Sequence, residues 1–298
     1  MTTVFLGTSE FSAAILDRLA GERAHRPALV LTRPDRPRGR GRRMASPPVA
    51  ERARALEIPL EQPDSVNEPG VGERIAEVKP SAVVVCAFGA LIKEPLLSEH
   101  ELLNVHPSLL PRWRGAAPIE RAIMAGDAQT GVSIMRLTAG LDSGPVCLAA
   151  AEPILPGDTY GSLAPRLSKL GGELLVRALE EAPPFVEQSE DGITYAEKID
   201  ADDRMLDPGR PAGELERVVR ALHPHIGARV ALPDGTLLGV HRAVAVSDGP
   251  PAGAFQSVEG RLLYGTGDGA LELLEVQPPG GRPMEASAFL RGHELPLD

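Results

Sequence analysis

Asn104-Val105-His106 is the stretch of this 298-residue sequence with the clearest chemistry. On a strand, side chains at i and i+2 leave the same face, so the Asn104 amide and the His106 imidazole reach toward one spot. The amide offers an N–H donor to a developing oxyanion, and an imidazole moves protons near neutral pH. Such a pair needs a carboxylate to hold the ring. Asp142, in Leu141-Asp142-Ser143-Gly144, has that chemistry but lies 36 residues beyond His106, so only the fold can bring the two together. Each residue also has an ordinary use: Asn104 in a cap or turn, His106 as a satisfied strand-end histidine, Asp142 as a turn former before Ser-Gly.

The elements that must position these groups alternate between short apolar strands and helices. Residues 3–6, 27–31, 81–87, 102–105, 131–137 and 146–154 read as strands. Helical spacing runs to about Ala20, then over 48–56, 71–78, 117–125 and 160–182. The continuous β-branched run at 81–87 suits a strand buried on both faces. Together they predict an α/β domain with a Rossmann-like parallel sheet over 1–182. Ligands of open α/β sheets bind beyond the carboxyl ends of strands, and Pro107 ends a strand beside His106. From Glu181 the character changes to Pro183-Pro184 and many acids, which predicts a surface linker over 183–205. A helix at 212–222 and short strands with Gly/Pro turns then predict a small β-barrel or sandwich over 206–298.

Composition narrows the classes. The chain is 43% hydrophobic and 24% charged, which excludes a disordered or fibrous protein. Two cysteines, Cys86 and Cys147, make neither a disulfide framework nor a metal-ligand set, so no metal is expected. The longest apolar run, 82–92, is too short to span a bilayer. The N-terminus lacks a basic segment leading into a cleavable apolar stretch, which predicts a cytoplasmic protein, with a monomer as the default state. Against 41 Asp plus Glu stand 31 Lys plus Arg, a formal net charge of −10 that argues against a nucleic-acid partner. The distribution argues otherwise. Residues 33–43 read RPDRPRGRGRR, a charge of +5, leaving −15 on the rest. This segment has no side chain with which to pack a core. It is either a solvated flexible loop or a phosphate-tracking arm, since arginine pairs bidentately with phosphate.

Asn104-Val105-His106-Pro107-Ser108-Leu109-Leu110-Pro111-Arg112-Trp113-Arg114-Gly115-Ala116-Ala117-Pro118-Ile119 closely resembles the signature of the methionyl-tRNA formyltransferases. Gly126-Asp127, Thr130-Gly131-Val132-Ser133-Ile134-Met135, Gly140-Leu141-Asp142-Ser143-Gly144 and Val4-Phe5-Leu6-Gly7-Thr8 match that family in order and spacing. The resemblance is strong over 1–180 and weaker beyond. It implies formyl transfer from 10-formyltetrahydrofolate, the co-substrate, to the α-amino group of methionine on initiator tRNA, for translation initiation. Asn104, His106 and Asp142 would carry the chemistry. Ser108, Leu109, Leu110 and Pro111 would flank the folate, and Phe88, Gly89, Ala90 and Leu91 would wall its pterin. Arg36, Arg38, Arg40, Arg42 and Arg43 would meet the tRNA, and the C-terminal domain would be an OB-like barrel along its acceptor arm. Where the family commonly has tryptophans, this chain has Leu206-Asp207-Pro208 and Leu222-His223-Pro224-His225-Ile226. The alternatives are a folate-dependent sugar-nucleotide formyltransferase, a formate-releasing hydrolase, and a tRNA-binding module without catalysis.

Overall fold

The computed structural model describes residues 1–38, 41 and 43–293; Arg40, Arg42 and the side chain of Arg38 lie outside the described residues. The chain forms two units. One comprises Met1–Pro118, Gln129–Pro153 and Ala164–Ala196, the other Ile119–Ala128, Ile154–Leu163 and Glu197–Asp298.

In chain order, the first part of the molecule contains strands β1 (Thr3–Gly7), β2 (Pro27–Leu31), β3 (Arg36–Arg38), β4 (Arg43–Ala45), β5 (Leu60–Glu61), β6 (Ala82–Cys86), β7 (Leu102–His106), β8 (Arg114–Gly115), β9 (Gln129–Arg136), β10 (Val146–Pro153) and β11 (Tyr195–Ala196). Its helices are α1 (Glu10–Gly21), α2 (Pro48–Ala55), α3 (Pro69–Val78), α4 (Leu96–Glu99), α5 (Pro118–Ala125) and α6 (Tyr160–Glu181). The main sheet has the order β10-β9-β7-β6-β1-β2-β5. From β5 to β7 the strands are parallel. At the other edge β9 runs antiparallel to β7, and β10 antiparallel to β9, so the sheet is parallel only in part. The connection 137–145 is too short for the crossover that parallel neighbours require, which explains the last reversal.

The sheet is buried because its strands are apolar on both faces. Val4, Leu6, Leu29, Leu31, Val83 and Val85 pack with Val71 and Ile75 of α3. The alternate residues Phe5, Val30, Val84 and Val105 are also fully enclosed. Each such side chain contributes about 1.5–3 kcal/mol of burial. On this second face α6 comes close: a Cβ on Gly171 would sit 2.9 Å from Val105 Cγ1, so a glycine there lets the helix approach β7 and β9.

Two segments differ from the loop and linker expected. Arg36–Arg38 pairs antiparallel with Arg43–Ala45, Arg38 opposite Arg43, so the basic segment is a hairpin. Its base is fastened: Asp35 accepts hydrogen bonds from Gln62 Nε2 (2.7 Å) and Ser46 Oγ (2.9 Å), and these bonds pull its carboxyl below the usual aspartate range. In the stretch read as a linker, Val186 bridges Val146 and β11 pairs in parallel with β8. Residue type alone does not signal such distant two-residue pairings.

The second unit has α7 (Ala212–Leu222), β12 (Ala228–Ala231), β13 (Leu237–Val246), β14 (Phe255–Val258), β15 (Arg261–Gly265), β16 (Ala270–Gln277), β17 (Met284–Glu285) and α8 (Ala286–Gly292). The strands form one antiparallel sheet, β12-β13-β16-β15-β14, with β17 on β16, rather than two stacked sheets. Leu215, Val218, Val219 and Leu222 of α7 and Phe289 of α8 share its core. Arg121 of α5 clasps Asp203 through two hydrogen bonds of 2.7 Å, and His225 bonds Glu120 at 2.9 Å while stacking on Tyr160. His223-Pro224-His225 is thus a packed corner.

Candidate active site

Asn104 and His106 lie on β7, at the carboxyl end of the parallel strands, 8% and 3% exposed. The period-two geometry puts them on one face, and the 140–144 loop brings Asp142 to that face. The Asn104 amide donates from Nδ2 to Asp142 Oδ1 at 3.4 Å. A carboxylate only accepts, which fixes the amide orientation and leaves the second N–H of that nitrogen for another acceptor. Asp142 Oδ2 accepts the Gly115 N–H at 2.8 Å and stands 3.7 Å from His106 Nδ1.

The imidazole is held by something the sequence did not single out. His106 Nε2 donates to the Trp113 carbonyl at 2.8 Å. Because a carbonyl only accepts, Nε2 carries the proton, and Nδ1 is the nitrogen left for proton movement in the neutral ring. Asp142 is therefore poised to stabilise an imidazolium rather than to anchor a neutral ring. Backbone groups, the Trp113 carbonyl and the Gly115 N–H, do the holding. They carry no side-chain signal; the local hint was Gly115 itself.

Gly115 adopts φ +122°, and a Cβ there would lie 2.7 Å from the Ala196 carbonyl. Trp113 (φ 63°) and Asp142 (φ 42°) also sit in the left-handed region, a conformation that persists where surroundings over-determine it and that gathers at functional sites. Those surroundings are β11 and its approach: Thr194 Oγ1 accepts from Trp113 N–H (2.8 Å), the Thr194 carbonyl from Arg114 N–H (2.9 Å), and the Ala196 carbonyl from Ala116 N–H (2.7 Å).

The turn at 108–111 is equally well fastened. Ser133 Oγ, fully buried on β9, donates to the Ser108 carbonyl at 2.8 Å and accepts from Leu110 N–H at 3.2 Å. Ser108 Oγ donates to the Arg112 carbonyl at 2.6 Å. Leu109, Leu110 and Pro111 remain half-buried. The loop after β6 is held by Thr8 Oγ1 on the Phe88 carbonyl and Arg33 on the Gly89 carbonyl. Its side chains divide: Phe88 packs into the core below the sheet, Ala90 is half-buried at the core's edge, and Leu91 is 68% exposed. Phe88 thus supports the loop from beneath, and Leu91 is its accessible apolar side chain.

In the basic hairpin the described Arg36 and Arg43 are exposed. Arg38, by its side chain, and Arg40 and Arg42 lie outside the described residues. In the second unit several arginines are engaged by their own chain: Arg220 with Glu216, Arg242 with Glu285, Arg261 with Glu272. Among the described residues no three His, Cys, Asp or Glu side chains gather as metal ligands, and no helix is long and apolar enough to cross a membrane.

Residues 1–179 match the family described as formyl transferase, and residues 198–294 match the formyl transferase C-terminal domain. The chain is 43% identical over 301 residues to a methionyl-tRNA formyltransferase of Halorhodospira halophila, covering 98% of this chain and 96% of that one. In fold it is similar to methionyl-tRNA formyltransferase from Clostridium thermocellum, at TM-score 0.62 and 14% identity, covering 83% of this chain and 94% of that one. It is also similar to HypX from Aquifex aeolicus in complex with tetrahydrofolic acid, at TM-score 0.65 and 18% identity; the match covers 97% of this chain but 46% of that longer one.

Proposed function

The chain belongs to the formyl transferase family, and on that premise we infer that it transfers a formyl group from 10-formyltetrahydrofolate to the α-amino group of methionyl initiator tRNA. The observation that carries the chemistry is the meeting of an amide, an imidazole and a carboxylate at the end of β7, with the carboxylate 3.4 Å from the amide and 3.7 Å from the ring. This donor set fits a formyl group under attack by an amine. Asn104 would direct its second N–H at the carbonyl oxygen as charge develops there. His106 Nδ1 would take the proton of the attacking amine and return it to the departing folate nitrogen, so that one N–C bond forms as another breaks with no net proton change. Asp142 would stabilise the imidazolium between these steps. The folate would lie along the 108–111 turn and the 88–91 loop, with the turn's shape kept by Ser133.

For the acceptor, the support is 43% identity over 98% of the chain to a relative named methionyl-tRNA formyltransferase, together with the charge pattern. An acidic body repels nonspecific RNA, whereas the hairpin at 33–43 concentrates positive charge. Arg36, Arg38, Arg40, Arg42 and Arg43 would contact phosphates of the tRNA. We assign the chemistry to residues 1–182, read from the sequence as its domain, together with the 183–196 part of the expected 183–205 linker that pairs back onto it, and support of the tRNA to 206–298, in a monomer acting in the cytoplasm. The test is a labelled formyl donor offered with methionyl-tRNA, an amino-sugar nucleotide or water. Label on methionyl-tRNA is the expected result. Label on the sugar or released as formate would overturn the acceptor assignment.

A further inference from the structure

We propose that Gln188 is a positioning residue for this reaction, its amide locking the 140–144 loop so that the Asp142 carboxylate stays on Asn104, Gly115 and His106. The proposal rests on reading Asp142 as a reacting-site group. Gln188 falls in the acidic stretch that reads as a linker, yet its side chain is used to capacity. Its Oε1 accepts from Arg114 Nε (3.0 Å) and Nη2 (2.8 Å). Its Nε2 donates to the carbonyls of Asp142 (2.8 Å) and Gly144 (2.7 Å). A guanidinium only donates and a carbonyl only accepts, so the amide has a single workable orientation, with two bonds on each side.

Both ends of this clamp touch the site. Arg114 is 8% exposed, precedes the Gly115 N–H that binds Asp142, and is kept in register by β8–β11 pairing. At the other end the loop has little room to move without loss: Asp142 is at φ 42°, and a Cβ on Gly144 would lie 2.0 Å from the Arg136 carbonyl. Gln188 thus ties the backbone of Asp142 to the residue adjoining the carboxylate's own hydrogen-bond donor. Removing its two N–H groups frees both loop carbonyls and lets the carboxylate drift. A displacement of about 1 Å at a reacting group costs about 10²-fold in rate.

Gln188→Glu keeps the shape and the Arg114 contact but has no donors, and Gln188→Met keeps bulk without either function. Formyl-transfer kinetics and thermal melting are measured for both, for Asp142→Asn, and for each double variant. We expect folded Gln188 variants to lose about 10–100-fold in kcat, with KM for both substrates within about threefold of the parent. In the Asp142→Asn background the Gln188 change should cost nothing further, because what it positions is already gone, whereas a merely structural role would multiply the losses. Should Gln188→Met fail to fold, the isosteric Gln188→Glu decides. Impaired Asp142→Asn beside fully active Gln188 variants, or fully multiplicative losses in the doubles, overturns the proposal alone. Full activity of Asp142→Asn overturns the underlying reading and the proposal with it.

Discussion

Asp142→Asn removes one charge from the site and almost no volume. In the structure its carboxylate lies 3.7 Å from His106 Nδ1, with side chains 13% and 4% exposed. Two unit charges about 4 Å apart interact by about 4 kcal/mol at an effective dielectric of about 20, and enclosure this complete preserves most of it. On the proposed mechanism the interaction would exist only once the ring has taken the amine's proton, so it would stabilise the transition state and not the bound substrates. At about 1.4 kcal/mol per decade, kcat should fall by about 10²–10³ while KM for either substrate changes little. The asparagine also turns its NH2 toward one of the two donors that the carboxylate accepts, the Asn104 amide or the Gly115 N–H, which adds to the loss. Single-turnover transfer of labelled formyl to methionyl-tRNA, followed by rapid quench, measures the chemical step directly. A folded variant whose single-turnover rate stays within about threefold of the parent would refute the assigned role of the carboxylate.

Neutralising Arg36, Arg38, Arg40, Arg42 and Arg43 together should raise KM for methionyl-tRNA and reduce the slope of log affinity against log salt by roughly 0.7–0.9 per lost phosphate contact, with the rate at saturating tRNA much less affected; a salt titration of tRNA binding checks this. Gly115→Ala places a Cβ 2.7 Å from the Ala196 carbonyl at φ +122°, so β8 and β11 must separate and the N–H on Asp142 must move. We expect reduced activity and a lower Tm, and a parent-like melt with full activity would contradict the geometry. The hydrogen bonds from Arg121 hold the Asp203 carboxyl below the ordinary aspartate range. A depressed folded-state value contributes stability that is fully present above the unfolded pKa and lost as pH falls through the folded one. Asp203→Asn should therefore cost about 1–3 kcal/mol near neutral pH, and the difference from the parent should shrink below about pH 4, as read from urea midpoints across pH. Cys86 is fully buried and its thiol is pushed up to about 12, so it should resist alkylating reagents in the folded protein and react on unfolding.

Much of the fold was legible because its signals are local. The continuous β-branched run of β6, the alternating elements through α6 and the apolar face of α7 each encode an element within about ten residues. The pairing of Asn104 with His106 was equally local, since a strand's period of two decides it without reference to the rest of the chain. Two features needed the fold. The parallel sheet expected carries antiparallel β9 and β10 at one edge, because strand direction depends on where a connection returns. The basic loop became a hairpin, because Asp35, Ser46 and Gln62 fasten its base.

What the sequence by itself determined was the inventory: an amide and an imidazole on one strand face, a carboxylate able to join them, and a positive segment on an acidic chain. Only the tertiary structure decided how those groups are held. It put the His106 ring on the Trp113 carbonyl, gave Asp142 the Gly115 N–H, and brought Thr194, Ala196 and Gln188 back across the site from a stretch that reads as linker. The reason is physical. Main-chain hydrogen bonds are available to every residue and so leave no mark on residue type. A partner tens of residues away is specified by the whole packing of the chain and not by any window of it.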